Sequence, residues 1–447
     1  MKRTVLLLTA CAIAAAWSVP AGAQVLDLAQ AYRLASENDA NIRASRAATE
    51  ARAERVPQAR SQLLPNLSAN ASTFRNSLVS TVPGFGGVPI VSHLHYNSSS
   101  RALTLRQPIY RPFQWADYRQ AKAQVEQANA ELERDEQSLA VRLTTAYLQL
   151  LGAQDQVELV LAQKAAYQTQ LEAARKRFAG GAGTRTDIDE AQARYDLAVA
   201  QELEARQNLG YMRQQLQSMV VEPVIDVARI DAARLPLVPP TPDSAEQWIE
   251  RAVATSPEIR ALDAQRRAAQ LEIDKARAGH LPTLDAVAQR SISDSDNVTS
   301  VNTRYDQKAV GLQLSVPLFA GGYVSSQVRQ AAAELRRTEE ALEALKRDLA
   351  LRVNKEYRGV SEGVLRVRAL EQAVKSAATA VESSRKSFQA GSRTLVDILN
   401  AEGQYASAQR DLFDARYVYL LSRIRLRALA GEADVGVIDE ANGWLKR

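Results

Sequence analysis

Apolar residues recur at alternating steps of four and three positions in two long stretches of this chain. The second stretch repeats the phase of the first 210 residues later, and Glu356 and Gly363 interrupt its otherwise apolar series. This spacing predicts helices that pack along a coiled-coil seam. Each stretch covers nearly 70 residues, or about 100 Å of helix, which is longer than a compact domain needs. The predicted seam comprises Leu139, Leu143, Ala146, Leu150, Ala153, Val157 and Val160, and later Leu349, Val353, Val360, Val367 and Leu370.

The chain contains two copies of one unit, as expected of a duplicated structure. Near the start of each copy the offset is 217 residues and relates Leu64-Pro65 to Leu281-Pro282. The offset changes between Pro65 and Leu103, so the first copy carries an insertion there, which predicts a longer loop at a hairpin tip. The offset of 210 relates Tyr147 to Tyr357, Phe178 to Phe388, Gly181 to Gly391, Asp187 to Asp397 and Tyr195 to Tyr405.

Both copies have the same predicted layout. A helical segment of about 35 residues comes first, at Leu26–Leu63 or Ser244–His280, and a proline ends it. Two strand-like runs, a long helix, a glycine-containing turn and a final helix follow. The long helices are expected at about Phe113–Phe178 and Gly322–Phe388, and the final helices at about Arg185–Met219 and Thr394–Ala430. The expected division is a signal peptide (1–23), a first repeat (24–220), a linker (221–243), a second repeat (244–431) and a C-terminal tail (432–447).

Four short runs alternate apolar and polar residues, which is typical of strands with one apolar and one polar face. They lie at 67–71, 103–106, 284–288 and 310–316. A length of about ten residues is that of a tilted membrane strand, although surface hairpins packed on the helices would show the same pattern. Four strands cannot close a barrel in lipid, so a membrane location requires an oligomer. Tyr110 and Phe319 each follow a matching proline by two residues and are the aromatics expected at the inner membrane–water boundary.

The N-terminus has the pattern of a secretory signal peptide. Lys2 and Arg3 precede an apolar run over residues 5–16, and Ala21-Gly22-Ala23 supplies the small residues of a cleavage site. The apolar run is shorter than the ~20 residues of a spanning helix. A lipoprotein signal ending at Cys11 is the alternative. Cleavage after Ala23 removes the chain's single cysteine, so neither disulfides nor thiol chemistry are expected.

The composition narrows the class of protein. Without Lys2 and Arg3 the chain has 54 basic and 51 acidic residues, a net charge of +3, and no dense basic stripe that would favour nucleic-acid binding. Aromatic residues make up 6% of the chain and glycines number 20, which argues against a porin made wholly of strands. The abundance of Ala, Leu, Gln, Glu and Arg is typical of long helices.

The ordered motifs resemble the TolC family of outer-membrane efflux and secretion proteins over almost the whole mature chain. The most specific are Pro317-Leu318-Phe319-Ala320-Gly321-Gly322 and the element 391–399, which reads GSRTLVDIL. Asn41-Ile42 and Ser256-Pro257-Glu258-Ile259 are similar to the family's opening-helix motif. The run 107–112 is closer to members that serve type I protein secretion.

This resemblance implies a mainly α fold with a small antiparallel β part. Long coiled-coil hairpins would form an α-barrel through the periplasm, and four strands per protomer would contribute to the 12-stranded transmembrane β-barrel of a homotrimer. The implied location is the outer membrane of a Gram-negative-type bacterium, in contact with its lipid. The implied partners are a periplasmic adaptor protein and an inner-membrane pump, either an ABC ATPase or a proton-driven exporter. No enzyme activity, cofactor, metal or nucleic acid is expected.

The turns after Phe178 and Phe388 would close such a channel at its periplasmic end. Arg393, Asp187 and Asp397 suit a releasable lock, because arginine forks onto a carboxylate with fixed geometry and an aspartate ring attracts cations. By resemblance, Arg393 and Asp187 match the family's gate-locking ion pair, and Asp397 matches its acidic entrance ring. Capping of helix N-termini by the two aspartates is the alternative reading.

Two residues depart from the family's gate pattern. The chain has Asn400 where a second ring carboxylate is expected, and Phe388 where a tyrosine is expected. Glu190, the counterpart of position 400 in the first copy, restores part of the negative charge. These departures predict a looser lock and an entrance that blocks cations less.

Three other features of the sequence favour ordinary structural roles or another class of protein. Residues 180–184 have the glycines of a phosphate-binding loop but lack its Lys-Ser/Thr ending. His93 and His95 have no further metal ligand nearby in sequence, so a solvated tip loop is expected there. A periplasmic coiled-coil adaptor is the alternative class of protein, but it would have one helical hairpin instead of two copies with strand pairs.

Overall fold

The computed structural model describes residues 25–231, 233–295, 303–432 and 435–446. The predicted signal peptide and Cys11 therefore lie outside the described residues. Helices dominate, and four strands interrupt them in two pairs. The first copy contains α1 (Leu28–Asn38), α2 (Ala40–Ala53), α3 (Arg55–Ser61), β1 (Asn66–Pro83), β2 (Pro89–Tyr110), α4 (Pro112–Ala179) and α5 (Arg185–Val220). The second contains α6 (Ala245–Thr255), α7 (Pro257–Arg277), β3 (Thr283–Ser295), β4 (Thr303–Ser315), α8 (Tyr323–Gln389), α9 (Leu395–Leu429) and α10 (Val435–Asn442).

The expectation of one continuous opening helix in each copy was wrong. In the first copy Asp39 has extended backbone (ψ 122°) and separates α1 from α2, and its carboxylate accepts from the Ile42 amide at 3.0 Å. In the second copy Ser256 breaks the helix directly before Pro257. A proline disfavours helical backbone in the preceding residue, and an aspartate side chain caps a new helix start. The opening-motif residues therefore mark a break in the helix.

The four strands form one antiparallel sheet in the order β1-β2-β3-β4. They contain 18, 22, 13 and 13 residues, so all are longer than the runs seen in the sequence. The expectation that the insertion forms a loop was also wrong. β1 and β2 pair without a break from Asn66↔Arg106 to Pro83↔Pro89, and only residues 84–88 form the turn. His93 and His95 accordingly lie in β2, opposite Val79 and Ser77, and not in a tip loop.

The sheet has one apolar and one polar face near its helix-connected end. The cross-strand row Leu67–Leu105–Ala288–Val310 and the adjacent rows carry the apolar residues of all four strands. Val310, Leu312 and Leu314 are 88%, 70% and 65% exposed. On the opposite face Asp285 is buried and accepts from Arg106 Nε at 2.9 Å and Arg111 Nε at 2.8 Å. The predicted alternation of the strand runs is confirmed.

The chain divides into two compact units, each of which takes segments from both sequence copies. The first comprises the described residues of 1–43, 135–252 and 349–447. Its helices bury the predicted seam: Leu143, Leu150, Val353 and Val367 are at most 1% exposed, and even Glu356 is only 7% exposed. The prediction of a packed seam is therefore confirmed. Gly363 allows close approach, since a Cβ there would lie 3.1 Å from the Tyr419 ring.

The second unit comprises residues 44–134 and 253–348 and contains the sheet with the helix ends that adjoin it. Ile273, Ala276 and Ala331 form an apolar cluster between α7 and α8. Lys275 pairs with the buried Asp117 at 3.1 Å, which joins α7 to α4. Among the described residues, no helix is both long and apolar enough to cross a membrane.

Candidate functional site

The turn after each long helix is built from the same backbone device. Gly181 and Gly391 have φ of +75° and +78°, a left-handed conformation that glycine adopts without strain. Ala182 N–H donates to Arg177 O at 3.0 Å, and Ser392 N–H donates to Ser387 O at 2.9 Å. Each glycine amide also donates to the phenylalanine carbonyl three residues earlier, at 3.0 Å in both turns. Together these hydrogen bonds form the Schellman motif that ends α4 and α8.

A capping box begins the helix that follows each turn. Thr184 Oγ1 accepts from Asp187 N–H at 3.1 Å while Asp187 accepts from Thr184 N–H at 3.1 Å. The second turn repeats this with Thr394 and Asp397, where the Thr394 amide and hydroxyl both donate to Asp397 at 2.8 Å. These bonds satisfy amides that a helix N-terminus leaves without partners. The backbone amide of Thr394, then its hydroxyl, hold the pKa of Asp397 below its ordinary value of 3.8.

Arg393 and Asp187 are not brought together within one chain. Arg393 is exposed, and its guanidinium donates to Oγ of the buried Ser384 at 3.1 Å. Asp187 is occupied by its capping box. Within a single chain, Asp187 and Asp397 therefore cap their helices. An Arg393–Asp187 ion pair would require a rearrangement or a second protomer.

The two turns lie over a shared apolar cluster in the first unit. Leu171 of α4, Ala191 of α5, and Leu395 and Leu399 of α9 belong to it and are at most 4% exposed. Phe388 packs against this cluster, and the guanidinium of Arg177 lies 4.1 Å from the centre of its ring. Phe388 therefore links α4 and α8 through a cation–π contact, which does not need the hydroxyl of the tyrosine expected at this position.

Arg194 connects two of the residues predicted for the gate. Its Nε lies 3.3 Å from Glu190 Oε1, and its Nη2 donates to Asn400 Oδ1 at 3.1 Å. Arg194 was not among the predicted site residues, although its spacing of four from Glu190 on one helix could have indicated the pair. Arg194 partly neutralises the charge of Glu190. The negative potential that Glu190 contributes is therefore smaller than the one expected from the sequence of the chain.

A second contact that the sequence analysis missed lies two residues further along α9, at Glu402. Glu402 is only 6% exposed and accepts from Arg385 at 2.8 Å and from Gln170 at 3.2 Å. It thus joins α4, α8 and α9. In the first turn the matching pair is Arg175 and Gln192, also at 2.8 Å. The offset of 210 relates the two pairs, so the repeat contained the signal, but it did not indicate that Glu402 would be buried.

The described residues contain no cluster of three or more histidine, cysteine, aspartate or glutamate side chains that could hold a metal ion. Tyr110 ends β2 and lies on the apolar face, opposite Leu284. Phe319 follows β4 and is 90% exposed. Both aromatics therefore lie at the end of the sheet where the helices begin.

Comparisons with known proteins agree with this architecture. The family described as outer membrane efflux protein matches residues 31–220 and 248–432. The chain is 36% identical over 419 residues to the alkaline protease secretion protein AprF of Pseudomonas aeruginosa, covering 93% of this chain and 86% of AprF. It is 32% identical over 449 residues to the proteases secretion protein PrtF of Dickeya chrysanthemi, covering 100% and 96%.

Among solved structures, the outer membrane protein VceC of Vibrio cholerae has the same fold. The TM-score is 0.75 at 19% sequence identity, over 91% of this chain and 97% of VceC. Since the family match and the two relatives cover most or all of the sequence, the chain belongs to the outer membrane efflux protein family, the TolC-like exit ducts of the outer membrane.

Proposed function

We propose that this outer-membrane duct serves type I protein secretion, and that the paired helix turns gate its periplasmic end. The named function of AprF and PrtF is the secretion of proteases, which supports a protein cargo for this chain as well. The observation that carries the gate is the meeting of both turns over one apolar cluster, with Arg393, Asp397 and Glu190 at their rim.

The sheet supports assembly as a homotrimer. In the order β1-β2-β3-β4, β1 and β4 each have one strand edge without a partner among the residues that the structure describes. Unpaired edges are not tolerated in lipid. Three copies joined β4 to β1 give a closed 12-stranded barrel, with Tyr110 and Phe319 at its periplasmic boundary. A periplasmic adaptor and an inner-membrane ABC ATPase complete the export system, and the duct itself is passive.

A soluble adaptor, the alternative class, does not match the structure. An adaptor would have one hairpin, whereas this chain has two long helical pairs, each preceded by a strand pair. Deletion of the gene should abolish export of a protein substrate without affecting its synthesis. Co-purification of a proton-driven exporter in place of an ABC ATPase would instead indicate drug efflux.

In the closed trimer, Arg393 pairs with Asp187, and Asp397 contributes to an acidic ring. Single-channel recording of the reconstituted trimer tests the lock. Arg393→Ala and Asp187→Asn should both raise the opening rate, because each removes one charge of the pair. Asp187→Asn is informative since the amide oxygen can still accept from Thr184 N–H and so preserves the cap.

The control is Arg347→Ala, which removes a cation of the same type that is 78% exposed and pairs with the nearby Glu343 on α8. This variant should open at the rate of the unmodified channel. If Asp187→Asn also opened at that rate while Asp187→Ala opened faster, Asp187 would act only as a helix cap and the lock would be refuted.

A further inference from the structure

The apolar face of the sheet ends at a sharp boundary on the side of the hairpin tips. Three cross-strand rows form the apolar band: Tyr110–Leu284–Leu314, Gln107–Ala286–Leu312 and Leu67–Leu105–Ala288–Val310. The next row toward the tips is Ala69–Leu103–Arg290–Lys308. Directly paired residues share one face of a sheet, and so do alternate residues along a strand. The two cations therefore stand on the same face as the band and directly above it.

Charged residues continue on this face in the following rows. Arg101 lies in the row with Ile292 and Asp306, and Asp294 lies opposite Arg304 in the row after that. Arg75 follows on β1, opposite Asn97. This basic patch, which consists of Arg75, Arg101, Arg290, Arg304 and Lys308 with Asp294 and Asp306, has five cations and two carboxylates. All five cations are exposed.

Each of the two carboxylates forms an ion pair with one of the cations. Arg290 contacts Asp306 with two nitrogens, at 3.3 and 3.0 Å, and Arg304 lies 3.6 Å from Asp294. Within the described ranges, no carboxylate lies at ion-pair distance from Arg101, Lys308 or Arg75. Each protomer thus presents an excess of three positive charges next to a surface that is apolar enough to face lipid.

The position of the patch relative to the band has a physical meaning. Cations on the lipid face of a barrel are costly at the middle of the bilayer and tolerated at its interfaces. The tips lie at the opposite end of the strands from the helices, so a patch on the tip side of the band coincides with the outer leaflet once the helices occupy the periplasm. Arginine forks bind phosphate oxygens with two parallel hydrogen bonds, and lysine supplies a compact charge.

We propose that the basic patch binds the phosphate groups of lipid headgroups in the outer leaflet. Arg101 and Lys308 are the principal contacts, because they lie in adjacent rows and are free of ion pairs within the described residues. The lipid chains would lie along the exposed Val310 and Leu312 below them. The inference rests on the proposed orientation of the trimer in the outer membrane. It further specifies that the lipids in contact with the patch carry phosphate groups.

Native mass spectrometry of the detergent-purified trimer tests the site with three probes: synthetic diphosphoryl lipid A, the same lipid without its phosphates, and inorganic phosphate. Unmodified trimer should retain the diphosphoryl lipid, and affinity should fall about fivefold for each of Arg101→Gln and Lys308→Gln. The dephosphorylated lipid should bind weakly to all forms and should not distinguish the variants. Arg347→Gln, a cation of α8 outside the patch, is the matched control and should bind as the unmodified trimer does.

Equal retention of the phosphorylated and dephosphorylated lipids, or unchanged affinity in the double variant Arg101→Gln/Lys308→Gln, would overturn the proposal. Competition by inorganic phosphate at the concentration of the lipid would also overturn it, since it would indicate a site for the free ion. Outer-membrane fractionation and single-channel conductance of the same preparations keep the two hypotheses apart. A variant that conducts normally and loses lipid supports the site, whereas an unmodified protein that neither fractionates nor conducts refutes the proposed duct itself.

Discussion

The turn between α4 and α5 and the turn between α8 and α9 share a backbone and differ in the side chains beneath it. Both combine a left-handed glycine, a Schellman motif and a threonine–aspartate capping box. Under the first turn, Arg175 contacts the neutral Gln192, whereas under the second Arg385 contacts the buried Glu402. Gly183 of the first turn is replaced by Arg393 in the second.

This comparison separates two functions of the repeat. The backbone device was kept in both copies because it is what reverses the chain between two long helices. The charge beneath the turn differs between the copies: Glu402 is a buried carboxylate, whereas its counterpart in the first copy is the neutral Gln192. The stability of the second turn should therefore respond more strongly than that of the first to the loss of the arginine beneath it.

The largest difference should follow the loss of the arginine beneath each turn. Arg385→Ala leaves the Glu402 carboxylate, 6% exposed, without its cation and should lower the free energy of unfolding by about 2–3 kcal/mol. Arg175→Ala leaves only an amide and should cost less than about 1 kcal/mol. Thermal unfolding of the two variants in detergent measures both.

A second substitution at position 402 tests whether the loss of stability in Arg385→Ala comes from the unpaired charge of Glu402 or from lost packing of the arginine side chain. In Arg385→Ala/Glu402→Gln, the second turn acquires a neutral amide like Gln192, and most of the stability should return. Equal losses in Arg385→Ala and Arg175→Ala, or no recovery in the double variant, would show that the buried charge is not what distinguishes the turns.

The glycines should give equal losses, because the backbone is what the turns share. Gly181→Ala and Gly391→Ala each place a Cβ at positive φ and should destabilise by about 1 kcal/mol. Nothing lies within 4 Å of either added Cβ, so the cost is conformational and not steric. Unequal shifts of the melting temperature would contradict the shared geometry.

A smaller effect, with a defined pH dependence, is expected at Thr394. Thr394→Ala removes a helix cap and should cost about 0.5–1 kcal/mol at neutral pH. The pKa of Asp397 is lowered in the folded protein, so its contribution is complete above the ordinary value of 3.8 and is lost as the pH falls below it. The difference in melting temperature between Thr394→Ala and the unmodified protein should therefore narrow below about pH 4.

Asp397→Asn is the control for this titration. Without an ionisable group at this position, the contribution of the cap should not change between pH 5 and pH 3. A Thr394→Ala difference that stays constant over the same range would mean that the capping box does not stabilise the ionised carboxylate.

The smallest effect on stability is expected for Asn400→Asp, which places beside Arg194 the second carboxylate of the proposed acidic ring. The new charge shares Arg194 with Glu190, so the free energy of unfolding should change by no more than about 0.5 kcal/mol. The ratio of cation to anion permeability should nevertheless rise in bilayer recordings, because three such carboxylates would surround the entrance. An unchanged ratio would place position 400 outside the conducting path.

Much of the fold could be predicted because its signals are local. The seam residues and the strand alternation follow from spacings of two to seven residues, and the glycine-containing turns follow from Gly181 and Gly391 between two helical patterns. The breaks at Asp39 and Ser256 were missed, although both have local causes, because the surrounding composition is that of a helix. The extension of β1 and β2 through the insertion was missed since polar strands lack a clear apolar period.

The contacts beneath the turns depended on the tertiary structure. Arg194 reaches Asn400, and Gln170 reaches Glu402, across 206 and 232 residues of sequence. Whether such side chains meet depends on the rotation and axial register of whole helices, which the packing of the apolar cluster sets. The sequence by itself determined the duplicated unit, the ends of its long and final helices and its two-faced strands, because neighbouring residues decide these. Only the tertiary structure decided that Glu402 would be buried and that Arg194 would offset Glu190, because burial and charge pairing are properties of several helices together.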